Sequence, residues 1–350
     1  MSIVFAVMVV LLFVGIKVGI KEPVSDYISK DGTLAVKGFF VLFIVFCHAA
    51  GYKNFNISSP ADYLMCKAIV GLGQLPVVAF LFYSGYGIML SVMNKKDYAR
   101  GLLKKRFLPL LIKFDFAVVM FLLCDLLIGE RYSVGTVLSS FIAWESVGNS
   151  SWYIFATFVM YFICAAVFVP LKNRYKTGAA AVTVLTVVYI IAMVLVGKPL
   201  RWYDTIIVFP LGMWFAHFKG AFDRVTEKFS RWVALLAAFA AMFAVTWYLS
   251  KSIEFFHILK SIFFALTLVT LTRRFSPRNK ILTFFGRHVF SFFILQRIPM
   301  MLLYHYYPEI NVYLFVAVSL AVTCPLGLIF DRFIRPEKLF SGEKKAVKAE

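Results

Sequence analysis

Two ionisable side chains interrupt the apolar run VKGFFVLFIVFCHAAGY, residues 36–52: Lys37 near its start and His48 near its end. An imidazole titrates near neutral pH, so it can take a proton from a hydroxyl as that hydroxyl attacks a carbonyl. An ammonium can hold an anionic group or snorkel to a membrane surface. Taken singly, Lys37 reads as a snorkelling anchor and His48 as an interfacial histidine. Their spacing joins them. Eleven residues turn an α-helix through about three full turns, so both side chains share a face, about 16 Å apart along the axis. Together they mark a track through an apolar segment.

Other polar groups fall in or beside apolar runs, where they are costly and usually functional. The stretch AFLFYSGYGIML, 79–90, offers the hydroxyls of Tyr83 and Ser84, while Gly85 and Gly87 permit close helix packing. KKDYARGLLKKR, 95–106, brings Arg100, Lys104, Lys105 and Arg106 together. Such a cluster is ordinary surface charge or a site for polyphosphate. Neither a P-loop nor GxGxxG accompanies it, so no nucleotide fold is implied. In WESVGNSSWYIFATFVMYF, 144–162, Glu145 is an acid able to orient an imidazole. Asn149, Ser150 and Ser151 suit a polar substrate, and Trp152 and Tyr153 suit a membrane interface. FFGRHVFSFFILQRIPMM, 284–301, carries Gln296 and Arg297, and an intramembrane arginine needs a partner or a wet cavity. The five cysteines are scattered without metal-ligand spacing, so neither a disulfide framework nor a metal is expected.

The elements holding these groups follow from composition. Of 350 residues, 61% are hydrophobic and 39 are Phe. Mean hydropathy is +0.82. That excludes an ordinary soluble domain. Continuous rather than alternating apolar runs exclude a transmembrane barrel. The net charge of +19 suggests nucleic acid until its position is noted: the cations cluster between apolar runs, as membrane topology requires. The expected fold is all-α and polytopic. About eleven transmembrane helices are expected, at 3–20, 35–52, 68–93, 108–128, 152–171, 178–196, 203–218, 231–250, 255–272, 288–305 and 311–331. The stretch 203–218 is short, and 133–144 reads as re-entrant or interfacial. Residues 1–20 lack a basic leader and a clear cleavage site, so the first span is expected to be retained. Alternating from a cytoplasmic 95–106 loop gives 27 Lys and Arg on the cytoplasmic side and 7 opposite. The N-terminus is expected outside and the C-terminus inside, in the cell membrane. Residues 1–34 form a first helix and linker, 35–335 one transmembrane domain, and 336–350 a polar cytoplasmic tail.

In order along the chain, the motifs resemble those of the integral membrane acyltransferase 3 family. A basic residue, ten intervening residues and a histidine appear as Lys37 to His48, with Lys where the family usually has Arg. FLFYSGY matches its aromatic run into Ser-Gly-aromatic, RFLP its Arg-x-x-Pro, and WYI its Trp-aromatic-aliphatic opening of a span. The late Gly, Ser, Tyr, His pattern departs, with Val289, Phe293 and Gln296 at the last three positions. The resemblance implies a ten-helix core, to which the helix at 3–20 is an addition. It also implies a transmembrane O-acyltransferase taking an acetyl or other short acyl group from acyl-CoA. The acceptor would be a hydroxyl of a cell-surface polysaccharide or lipid-linked sugar. Lys37, Arg100, Lys104, Lys105 and Arg106 would then hold the donor. His48 would be the base, with Glu145 assisting, or else would carry the acyl group itself. Tyr83, Ser84, Asn149, Trp152, Tyr153, Gln296 and Arg297 would line the substrate path. Two other readings stand beside this one. A transporter or flippase for a glycan shares the polar spans but implies an internal repeat, and none is found. A membrane scaffold without catalysis fits the departures from the pattern.

Overall fold

The computed structural model describes residues 2–55, 57 and 59–340; the end of the polar tail, 341–350, lies outside them. In chain order the helices are α1 (Ser2–Phe13), α2 (Leu34–Tyr52), α3 (Pro60–Leu72), α4 (Leu75–Asn94) and α5 (Tyr98–Leu102). A π turn at Leu103–Phe107 continues into α6 (Leu108–Leu127), followed by α7 (Val134–Phe141), α8 (Ser151–Leu171) and α9 (Tyr175–Leu195). After a 3-10 turn at Leu200–Trp202 come α10 (Val208–Val225), α11 (Phe229–Leu249), α12 (Phe255–Thr272) and α13 (Lys280–Arg287). Then come α14 (Val289–Leu295), α15 (Arg297–Tyr306), α16 (Val312–Phe333) and α17 (Glu337–Phe340). The protein is an all-α, multi-pass membrane protein. Among the described residues, 8 helices are long and apolar enough to cross a membrane. A ninth span forms if α13 is taken with Val289–Tyr306, across a bend of 73°.

Several expected boundaries move. The helix expected at 3–20 stops at Phe13. Gly15 then takes a left-handed φ of 74°, and Lys17–Val18 (β1) pairs antiparallel with Phe275–Ser276 (β2). Twelve residues rise only about 18 Å, short of the roughly 30 Å of hydrocarbon. The span expected at 68–93 is two helices, because Gly73 at φ 41° breaks the run. The Ser59 hydroxyl caps α3 by accepting from the Asp62 N–H at 3.1 Å, with Pro60 opening the helix. The basic stretch 95–106 is mostly helix rather than loop: α5, the π turn and α6 form one helical run, Tyr98–Leu127. The expected 203–218 span begins later, at Val208, and runs to Val225.

Close helix contacts hold the site's scaffold. α4 and α10 meet through Gly85 and Gly212: a Cβ on Gly85 would strike the Phe209 carbonyl, and one on Gly212 the Phe82 carbonyl. Gly38 of α2 and Gly286 of α13 do the same against the backbones of Leu282 and Leu34. At the bend, Asp331 of α16 accepts from Ser291 at 2.8 Å and meets His288 Nδ1 at 2.6 Å. The segment between α1 and α2 is tied to the chain just past α12, its Gly19 and Val24 N–H groups donating to the Arg274 and Arg273 carbonyls, each at 2.8 Å. Fully buried Arg274 donates to the carbonyls of Gly19, Ile20 and Thr226 at 2.7, 2.6 and 3.1 Å. Arg273 reaches the Val24 carbonyl at 2.7 Å.

Candidate active site

α2 is continuous from Leu34 to Tyr52, so it carries Lys37 and His48 at opposite ends. At one end the Lys37 ammonium sits 5.3 Å from the centre of the Tyr83 ring on α4, a cation–π distance. The Tyr83 hydroxyl is buried without a hydrogen-bond partner. At the other end His48 faces a cavity of about 840 Å³.

The cavity's second wall is the segment from Trp144 to Ser151, which leads into α8. Gly148 sets its path. Its φ is +84°, and a Cβ there would lie 2.7 Å from the Met301 sulfur, so only glycine turns the chain here without strain. The turn seats Asn149, Ser150 and Ser151, each at most 5% exposed. The Ser146 hydroxyl donates to the Asn149 carbonyl at 2.6 Å and approaches its side-chain Oδ1 at 3.2 Å. The Ser150 Oγ lies 3.5 Å from His48 Nε2, and His48 Nδ1 is buried with no partner among the described residues.

Of the residues singled out in the sequence, His48, Glu145, Asn149, Ser150, Ser151, Trp152 and Arg297 line this one cavity. They come from α2, the loop before α8, α8 and α15. Tyr153 stands behind the wall, its ring 6.4 Å from Phe80 and 5.3 Å from the lining residue Phe293. Gln296 is fully buried, donating to the Phe293 carbonyl at 3.1 Å while its Oε1 finds no partner. Ser84 lies on α4, one residue from the Gly85 contact. The Glu145 carboxylate meets Lys198 at 3.5 Å, so the polar group beside the imidazole is Ser150 and not the acid. Arg297 has no carboxylate partner among the described residues; it is 3.4 Å from the Tyr52 hydroxyl and its Nε is unpartnered.

The cavity also draws in residues that the sequence did not single out. Lys198 is held between two indoles, 3.9 Å from the Trp144 ring centre and 4.4 Å from that of Trp202. Its ammonium donates to the Trp144 carbonyl at 3.2 Å. Arg201 adds a further cation to the wall, beside Lys198 and Arg297. Lys198 and Arg201 belong to the sparse set of cations on the expected outer side, and that scarcity was the available signal. Gln74 is a third. Turned with its amide nitrogen toward Asp204, it donates to both carboxylate oxygens at 2.8 and 2.9 Å. Burial pushes the Asp204 carboxyl up to about 7, against the downward pull of Lys260.

The basic group lies at the far end of the bundle, because α4 carries the chain about 30 Å from Gln74 to Asn94. Lys104, Lys105 and Arg106 project from the π turn and are exposed. Arg100 pairs with Asp97 at 3.2 Å. Lys104 and Lys105 have no carboxylate partner among the described residues. A polyphosphate suits such a group, since its cations are accessible and mostly uncommitted.

A family described as an acyltransferase domain matches residues 35–332. The chain belongs to the membrane acyltransferase 3 family. It is therefore a membrane acyltransferase. The family match begins one residue into α2 and ends one residue short of the end of α16, so it takes in both walls of the cavity. α1 and the linker precede it. No curated protein and no solved structure matches the chain.

Proposed function

We propose that this acyltransferase moves an acetyl or other short acyl group from acyl-CoA to a hydroxyl of a cell-surface polysaccharide or lipid-linked sugar. The observation that carries the reading is His48 on the wall of a large cavity at one end of α2, with the basic group at the other end of the bundle. The basic end is cytoplasmic in this reading, as the distribution of Lys and Arg requires. Arg100, Lys104, Lys105 and Arg106 hold the phosphates of the donor, and its arm passes Lys37 and Tyr83. The acceptor occupies the cavity between Trp152, Lys198 and Arg201. His48 Nε2 removes the proton of the acceptor hydroxyl as the oxygen attacks the thioester carbon. The imidazolium returns the proton to the departing thiolate. Glu145 acts on the acceptor side through Lys198, holding that ammonium between the indoles.

Lys37 and the cavity do not touch. The cavity floor at Ile44 is seven residues from Lys37, about 10 Å along α2. A donor arm reaching His48 must part the side chains of α2 and α4 between them.

The test is release of free CoA thiol from acetyl-CoA by purified protein, with and without added glycans. His48→Ala should lower turnover by at least about 100-fold. Lys37→Arg should retain activity, and Lys37→Ala should raise the KM for acetyl-CoA. Wild-type protein that neither binds nor cleaves acyl-CoA sinks the donor assignment. Full transfer by His48→Ala sinks the assignment of the base.

A further inference from the structure

We infer that Asn149 and the N-terminus of α8 form the oxyanion hole of the acyl-transfer reaction, an inference that rests on the reading of His48 as base. Three observations converge. First, the Asn149 side chain is only 2% exposed, yet its Nδ2 has no hydrogen-bond partner, although the residue lines the cavity. A buried amide donor without an acceptor is costly and rare in folded proteins. The Ser146 hydroxyl lies 3.2 Å from Oδ1, so Oδ1 is the amide edge turned toward Ser146 and Nδ2 the edge left open.

Second, α8 is 21 residues long and no side chain caps it. Ser150 is its N-cap residue, the type that normally accepts from the first-turn N–H groups. Here its hydroxyl lies beside His48 Nε2 at 3.5 Å instead. The backbone donors of the first turn, at Ser151 and Trp152, are therefore left without a side-chain acceptor, and both residues line the cavity. The positive end of the helix dipole adds to them.

Third, these donors adjoin the base. Ser150, next to Asn149 on the second wall, brings its Oγ within 3.5 Å of His48 Nε2, so an acyl carbon within reach of a hydroxyl activated by His48 has its oxygen beside Nδ2 and the helix end. The acceptor oxygen forms a bond to the thioester carbon while His48 takes its proton. The carbonyl π pair moves onto oxygen and is held by Nδ2 and the α8 N–H groups. Collapse restores the carbonyl and breaks the C–S bond, and the thiolate takes the proton from the imidazolium. Donors placed where charge develops stabilise the transition state more than the ground state.

The experiment measures kcat and KM for acetyl-CoA, by thiol release, in purified wild type, Asn149→Ala, Asn149→Asp and His48→Ala. Both Asn149 variants should lose about 100- to 1,000-fold in kcat, with KM for acetyl-CoA unchanged within about twofold. The near-isosteric Asn149→Asp should keep the wild-type melting temperature, which separates lost chemistry from lost fold. Asn149→Asp within about threefold of wild-type kcat, in a preparation where His48→Ala is inactive, overturns the oxyanion assignment and leaves the base intact. A wild type that releases no thiol overturns the acyl-CoA reading and this inference with it.

Discussion

At the scale of single residues, the buried polar groups divide into those that face the cavity and those that hold it in shape. Asp204 belongs to the second group. Its carboxyl ordinarily titrates at 3.8 and is pushed up to about 7 by burial. The folded chain keeps that proton where the unfolded chain has released it. The contribution to stability is thus fully present below about pH 4 and is lost as pH rises through about 7. Asp204→Asn removes the titration while keeping the shape. The melting-temperature advantage of wild type over this variant should shrink steadily between pH 4 and 7; an advantage that is flat across this range would refute the assignment. The residues legible in the sequence were those whose polarity clashed with an apolar run: His48, Arg297, and Asn149 at the head of one. Trp202 and Gln74 were not legible, and Lys198 only through the scarcity of cations on its side. They sit in loops, where such types are unremarked, and only folding brings them to the cavity.

At the scale of elements, two devices position the site: glycine contacts and a braced bend. The contrast between Gly212 and Gly87 tests the first. A side chain at Gly212 meets the Phe82 backbone, whereas a Cβ at Gly87 has nothing within 4 Å. Gly212→Val should destabilise the protein by at least about 2 kcal/mol, seen as a lowered melting temperature in detergent. Gly87→Ala should stay within about 0.5 kcal/mol of wild type or gain slightly. The bend depends on Asp331, whose carboxylate serves both His288 and Ser291. Asp331→Ala should lower acyl transfer, because α15 begins at Arg297 on the far side of that bend. Unchanged turnover would make the brace dispensable. The sequence identified helices such as α2, α8, α9, α12 and α16 to within a few residues, since an apolar run of membrane length dictates them. It did not show the break at Gly73 or the end of α1 at Phe13. Left-handed φ values, and the pairing of Lys17–Val18 with a strand near the other end of the chain, leave no trace in hydropathy.

At the scale of the whole molecule, charge and chemistry must agree on direction. The basic face with Lys104 and Lys105 and the cavity with His48 lie at opposite ends of the bundle, so one orientation puts the donor and the other puts the acceptor in the cytoplasm. A cysteine introduced at Ser252, between α11 and α12, should react with an impermeant maleimide on intact cells, while one at Asn173, between α8 and α9, should react only after lysis. The reverse pattern would turn the proposed donor path upside down. The same fold also constrains how the chain is made. Arg274 grips carbonyls at Gly19 and Ile20, residues that leave the ribosome long before it does. At 5–20 residues per second, roughly 10–50 s separate their synthesis. Through that interval the carbonyls of Gly19 and Ile20 wait for this guanidinium, while α2 through α12 are inserted. The staple is thus a late step of biogenesis, closed only once most of the spans are in place.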